Sequence, residues 1–184
     1  SDRVVSAPHD GARAVVLDID GTLTPDVTQV FDVRPHAAGV TKAIDVAGVQ
    51  LIYLTARVPA FQFLIPGWLE RHGFADGSVH VTETDEHRED LVAFKTGVVD
   101  AWQEAGWDIA VAVGDSTADF EAYARAGVAR ERIFAVRRDG DDACQPGPWA
   151  RCFEDWQAIE EFLADASRWT TDARARERSS EGRR

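Results

Sequence analysis

The chain of 184 residues has no methionine, only two cysteines and only two lysines, and no apolar run near the roughly 20 residues that cross a bilayer. Each shortage closes off a class of protein. With neither a long apolar run nor a basic-then-apolar start, the sequence predicts no membrane-spanning helix and no signal peptide, and it reads as soluble. The missing initiator implies a trimmed or processed chain. Cytoplasmic residence is therefore the expectation, and export after processing is its alternative. Cys144 and Cys152 stand alone, whereas a zinc site needs further Cys or His at close spacing. Free thiols are expected, with a single disulfide as the alternative for an exported chain. Against eighteen arginines, Lys42 and Lys95 are conspicuous, so a lysine at a chemical position is easy to see.

Positive charge is short overall. Twenty Lys and Arg face 32 Asp and Glu, a net charge of −12. From Arg168 onward six arginines meet only Asp172, Glu177 and Glu181, so the acidic excess lies in the body of the chain. Such a field repels nucleic acid and anionic bilayers, which argues against a basic nucleic-acid platform. At 45% hydrophobic residues the chain can bury a full core. One domain over residues 1–167 is expected, followed by an Arg-rich, solvated tail at 168–184.

Apolar runs and helical patterns alternate along that domain. Strand-like segments fall at 13–19, 49–55, 78–82, 108–114 and 132–136. Helical patterns fall at 34–47, 60–72, 86–105 and 117–126, and the third carries Leu91, Phe94, Val98 and Trp102 as one stripe. Residues 137–151 read as loop, and 154–165 as a closing helix with Trp156, Ile159, Phe162 and Leu163 inward. Continuously apolar strands alternating with amphipathic helices imply an α/β fold, a Rossmann-like three-layer sandwich around a mainly parallel sheet. Ligands of such sheets bind beyond the carboxyl ends of the strands. Three strands here end in polar residues: Asp18 with Asp20, Thr55, and Asp115.

"VVLDIDGTLT", residues 15–24, drives a core-bound strand into two aspartates. Buried carboxylates are costly unless protonated, hydrogen-bonded or bound to a cation. Residues i and i+2 of extended chain face the same side, so Asp18 and Asp20 can serve one site while Ile19 turns to the core. Two carboxylates with a carbonyl make a hard oxygen site suited to Mg²⁺. A calcium loop of the EF-hand type would need Gly where Leu23 stands. "AVAVGDSTAD", 110–119, repeats the design with Asp115 and, four positions on, Asp119 on one face of a helix start. Ser116 with Asp119 also fits a capping box, so Asp119 has two readings, metal ligand and cap. Thr55 could supply a hydroxyl donor to a phosphoryl group and Lys95 a neutralising charge. The five histidines show no metal spacing.

The order D-x-D-G-T, a strand-terminal Thr, a Lys and G-D-x-x-x-D resembles the haloacid dehalogenase-like superfamily of phosphotransferases over about residues 13–137. The resemblance implies that Asp18 attacks phosphorus to form an aspartyl-phosphate and that Asp20 acts as acid and base. It further implies Mg²⁺ held by Asp18, the main-chain carbonyl of Asp20, Asp115 and Asp119, with Thr55 and Lys95 on the phosphate. Gly21, Thr22, Ala56 and Arg57 complete the expected substrate-binding set. The short intervals from Asp18 to Thr55 and from Thr55 to Lys95 leave no room for a folded cap, so an open, capless or minimally capped site is expected. "AGVQLIYLTAR", "WLERHGF", "FK" and "AYARAGVARERIF" resemble the lipin and phosphatidylinositol-transfer-protein (LNS2) branch. Lipin-type members of that branch hydrolyse phosphatidate with magnesium, whereas transfer-protein members have lost part of the catalytic set. With Asp18, Asp20, Lys95 and Asp115 all in place, the expected function is Mg²⁺-dependent phosphomonoester hydrolysis, on a small molecule or a lipid phosphate such as phosphatidate. A phosphate-headgroup binding module and a polynucleotide 3′-phosphatase are the alternatives.

Overall fold

The computed structural model describes residues 4–26, 28–29, 31–57 and 62–164. Six strands form one sheet: β1 (Arg13–Asp18), β2 (Gln50–Thr55), β3 (Ser78–Val81), β4 (Asp108–Gly114), β5 (Ile133–Val136) and β6 (Arg151–Phe153). Every pairing is parallel, and the spatial order is β3-β2-β1-β4-β5-β6. Parallel neighbours need crossovers, and the helices supply them. These are α1 (Ala37–Val46), α2 (Ile65–Arg71), α3 (Asp85–Glu89), α4 (Leu91–Glu104), α5 (Thr117–Arg125) and α6 (Trp156–Leu163).

Alternation along β1 divides the core in two. Val15 and Leu17 join Leu51, Tyr53, Val111 and Val113 beneath α1, α2 and α6, where Trp68, Trp156 and Ile159 are buried. Ala14 and Val16 turn to the opposite face with Ile52 and Leu54, against Val99 and Trp102 of α4 and Phe120 and Tyr123 of α5. The result is the expected three-layer sandwich. Its sheet is parallel throughout. Strand order reverses between β1 and β4, where Leu17 lies beside Val113, so a crevice opens there at the carboxyl edge of the sheet. Among the described residues between β1 and β2, and between β2 and α4, no separate folded cap stands over that edge.

Several elements differ from the sequence pattern, each for a local reason. The helix expected over 86–105 is broken in two. Thr84 accepts from His87 N at 3.1 Å to cap α3, and Asp90 accepts from Ala93 N at 2.9 Å to cap α4, so a second start interrupts the first helix. In α4 the buried stripe is Phe94, Lys95, Val99 and Trp102, while Val98 is only partly buried. The pattern at 60–72 condenses to α2, with Pro66 in its first turn; residues 58–61 lie outside the described residues.

Residues 137–151 are not loop to their end: Arg151 begins β6, whose three residues are too few to show a period. The cysteines, expected as free thiols, are instead joined as Cys144–Cys152, with Cα atoms 5.9 Å apart where the 137–150 segment returns alongside β6. Trp149 lies half-buried against the α4–α5 core and donates to Gln145 O at 2.8 Å. The Arg-rich tail at 168–184, with Trp169, lies outside the described residues.

Candidate active site

Extended geometry fixes the starting point. Asp18 ends β1 two residues after Val16, so its side chain faces the α4–α5 layer. There it meets Lys95, whose position one turn before Val99 puts it in the buried stripe of α4. Lys95 Nζ donates to Asp18 Oδ1 at 2.6 Å and also to Asp119 Oδ1. Asp18, Asp115, Asp119 and Lys95 are 2%, 1%, 1% and 4% exposed, so these charges are shut away from water. Carboxylate oxygens of Asp18, Asp115 and Asp119 lie within 4.8 Å of one another. Three buried oxygen donors this close fit a hard divalent cation.

Two glycines admit the carboxylates. Gly21 has φ +89°, and any Cβ there would collide with the Asp115 carboxylate. At Gly114 a Cβ would collide with the Asp119 side chain. Asp119 is both cap and cluster member. Its Oδ2 accepts from Ser116 N at 3.0 Å and Ser116 Oγ at 2.7 Å, closing a capping box, while its Oδ1 takes Lys95. Asp115 is held from both sides: Thr22 Oγ1 donates to its Oδ1 at 3.1 Å, and Arg138 Nε to its Oδ2.

Crowded negative charge shows in the proton affinities. Burial first, then Asp119, pushes the Asp18 carboxyl well above its ordinary value, with Lys95 pulling the other way. Burial and Asp119 raise Asp115 likewise, while Arg138 and Thr22 oppose the shift. Burial works against the Lys95 charge, but Asp119 and Asp18 outweigh it, and the ammonium holds its proton beyond its usual range.

Asp20 is turned away from this trio. Its Oδ2 accepts from Thr55 Oγ1 at 2.6 Å and its Oδ1 from Arg57 Nε at 2.6 Å, placing the end of β2 against the first motif. Thr55 Oγ1 in turn accepts from Arg57 N at 3.1 Å. Of the expected phosphate-binding residues, Thr22 thus serves Asp115, Gly21 makes room for it, and Thr55 and Arg57 attend Asp20. Ala56 is half-buried between Thr55 and Arg57.

Two side chains that sequence reading passed over, and Trp156, which it placed only in the core, belong to the same edge. Arg138, two residues past β5, reaches Asp115; it follows the fourth strand end on this edge to carry polar chemistry, which was the available signal. Arg34 is buried and staples the first motif by donating to Gly21 O at 2.9 Å, Thr24 O at 3.0 Å and Pro25 O at 3.0 Å, and to Asp139 at 3.1 Å. Burial lowers its proton affinity and Asp139 partly restores it. Trp156 Nε1 donates to Thr22 O at 2.7 Å, so the closing helix also holds the motif. No spacing in the sequence announces either contact.

The same arrangement of elements occurs in known proteins. D,D-heptose 1,7-bisphosphate phosphatase from B. bronchiseptica, solved with magnesium and phosphate, superposes with a TM-score of 0.62 at 19% identity, covering 84% of this chain and 99% of that one. The deoxy-D-mannose-octulosonate 8-phosphate phosphatase YrbI from Haemophilus influenzae, in a cobalt-bound form, gives 0.52 at 14% identity, covering 88% and 94%. These likenesses identify a haloacid dehalogenase-like fold. In sequence, human membrane-associated phosphatidylinositol transfer protein 3 is 28% identical over 134 residues, 70% of this chain and 13% of that protein. Protein retinal degeneration B of Drosophila melanogaster is 30% identical over 132 residues, 70% of this chain and 10% of the relative. The chain therefore spans about an eighth or less of the length of these relatives. The LNS2 domain of PITM 1-3 matches residues 15–137, from the first apolar run to the end of β5, and the chain belongs to that family.

Proposed function

We propose that this chain is a phosphomonoester hydrolase that uses Mg²⁺ and an aspartyl-phosphate on Asp18, within one catalytic domain over residues 1–167. The observation that carries the reading is the gathering of Asp18, Asp115 and Asp119 around one point, with Lys95 between two of them and Asp20 beside them on Thr55. Asp18, Asp115, Asp119 and the main-chain carbonyl of Asp20 would hold Mg²⁺, which when bound offsets phosphoryl charge and keeps Asp18 ionised. Asp18 then attacks phosphorus with a carboxylate lone pair, and the bond to the leaving oxygen breaks. Asp20 gives a proton to that oxygen. In the second half the water oxygen bonds to phosphorus as its proton passes to Asp20 and the Asp18 oxygen–phosphorus bond breaks, which releases phosphate, frees the Asp18 carboxylate and leaves Asp20 protonated for the next turnover. Lys95 supplies positive charge to the phosphoryl oxygens as charge builds on them, while the single hydroxyl proton of Thr55 is given to Asp20.

An open edge suits accessible phosphates, including lipid phosphates such as phosphatidate. The test is magnesium-dependent phosphate release across lipid, sugar, nucleotide and phosphoprotein substrates, alongside p-nitrophenyl phosphate and the Asp20→Asn variant. Release by the wild type that the substitution abolishes is the expected result. A second reading draws on the relatives, which are named as phosphatidylinositol transfer proteins: the site binds a phosphate headgroup without turnover. Phosphatidate-vesicle binding with no release from any of these substrates would favour it.

A further inference from the structure

Arg57 was expected to touch substrate, yet its surroundings give it a different task. Its side chain is 3% exposed, and it lies two residues past Thr55, just off the end of β2. Nε donates to Asp20 Oδ1 at 2.6 Å, and the guanidinium carbon sits 5.3 Å from the centre of the Trp68 ring, itself buried in α2. Neither Nη atom has a hydrogen-bond partner among the described residues. Among the described residues Asp20 is therefore the carboxylate paired with this cation, and a buried cation with one partner stays on it. The turn beneath is tied as well. Gln62 Nε2 donates at 2.7 Å both to Arg57 O and to Thr82 O, which anchors the backbone of Arg57 to the end of β3.

We infer that Arg57 is a positioning residue: pinned between Trp68 and the end of β3, it fixes the Asp20 carboxyl so that the proton meets the leaving oxygen. The inference rests on the hydrolase reading above and assigns Arg57 a role through Asp20, with no contact to the phosphoryl group. In the first half-reaction the Asp18 to phosphorus bond forms, the phosphorus to leaving-oxygen bond breaks, and the Asp20 proton goes to that oxygen. The proton that Asp20 draws from water in the second half supplies the next turnover. Two donors on its two oxygens, Arg57 Nε and Thr55 Oγ1, fix both the direction and the rotation of the carboxyl plane.

A leaving group that departs without a proton gains nothing from a well-aimed acid, and this separates positioning from a general structural role. The experiment measures kcat/KM, which reports the steps up to loss of the leaving group, for glycerol 2-phosphate and for 2,4-dinitrophenyl phosphate with Mg²⁺. Wild type, Asp20→Asn, Arg57→Gln and Arg57→Lys are compared. Because positioned proton transfer contributes on the order of 100-fold or more, Asp20→Asn and Arg57→Gln should each lose about that factor on the alkyl ester and within about threefold on the dinitrophenyl ester. Arg57→Lys, which keeps the charge without the planar fork, should fall between, and it carries the comparison if Arg57→Gln does not fold. Equal losses on both esters in the Arg57 variants would overturn the inference while leaving the hydrolase reading in place. A wild type inactive on both esters would remove the two together.

Discussion

Lys95 Nζ stands 2.6 Å from Asp18 Oδ1 and bonds to Asp119 Oδ1 as well, so one buried ammonium balances two buried carboxylates from two different elements. Removing it leaves both acids uncompensated. Replacing Lys95 by Met should cost about 3–5 kcal/mol of folding stability without added cation, as breaking a buried ion pair does, and should abolish hydrolysis. Urea unfolding of the two chains measures the difference; a loss below about 1 kcal/mol would contradict the pairing.

Asp18 and Asp115 should make cation binding depend on pH. Both carboxyls are raised above the ordinary value of 3.8, by burial first and by Asp119 next. Between 3.8 and those raised values the folded chain keeps protons that the unfolded chain has released, so stability falls as pH rises through that window. A cation needs these groups deprotonated and displaces the protons, so its affinity should climb with pH over the same range. Thermal unfolding with and without MgCl₂ at pH 5 and pH 8 reads this directly. The cation-induced rise in Tm should be larger at pH 8.

Arg138 shares Asp115 with any cation that binds there. Its side chain is 29% exposed against 1% for Asp115, so Arg138 can be changed with little disturbance to the core. Arg138→Gln removes a positive charge beside the oxygen donors, and Mg²⁺ affinity measured by calorimetry should tighten by about tenfold, equivalent to roughly 1.4 kcal/mol. Unchanged or weaker binding would show that Arg138 chiefly holds Asp115 in place.

The Cys144–Cys152 bond closes a short loop that also braces α5: Thr117 N donates to Gln145 Oε1 at 3.3 Å and Thr117 Oγ1 to Pro146 O at 2.8 Å. Thiol titration of the native chain should find no reactive cysteine, and two after denaturation and reduction. By loop-closure entropy the bond contributes roughly 2–3 kcal/mol, so Tm should drop on reduction.

What could be read from sequence was whatever has a short period or a fixed spacing. The β1 and β4 runs and the i, i+4 pair at Asp115 and Asp119 are local patterns that backbone geometry turns into positions, whereas Asp20 lies past the end of β1, where extended alternation no longer holds, and turns to Thr55 and Arg57. Lys95 was visible because lysine is rare here, yet its burial depends on the register of α4 against β1, which no local pattern carries. Arg34 and Trp156 reach the first motif across 13 and 134 residues, and such contacts exist only once the sheet has closed. Strand β6 was missed because three residues next to a Pro-rich, Cys-containing stretch show neither alternation nor length. The break at Asp90 was missed because a capping aspartate inside an amphipathic pattern looks like an ordinary polar-face residue.

If Asp18 captures phosphorus while Asp115 and Asp119 hold the cation beside it, each turnover passes through a phosphorylated Asp18. Rapid acid quench of the chain during turnover of 2,4-dinitrophenyl phosphate with Mg²⁺, followed by peptide mass spectrometry, tests it most directly. A phosphoryl group on the peptide containing Asp18, absent with EDTA and absent in Asp18→Asn, is the expected result. Turnover that proceeds with that peptide unmodified, or with the phosphoryl group on another residue, would contradict it.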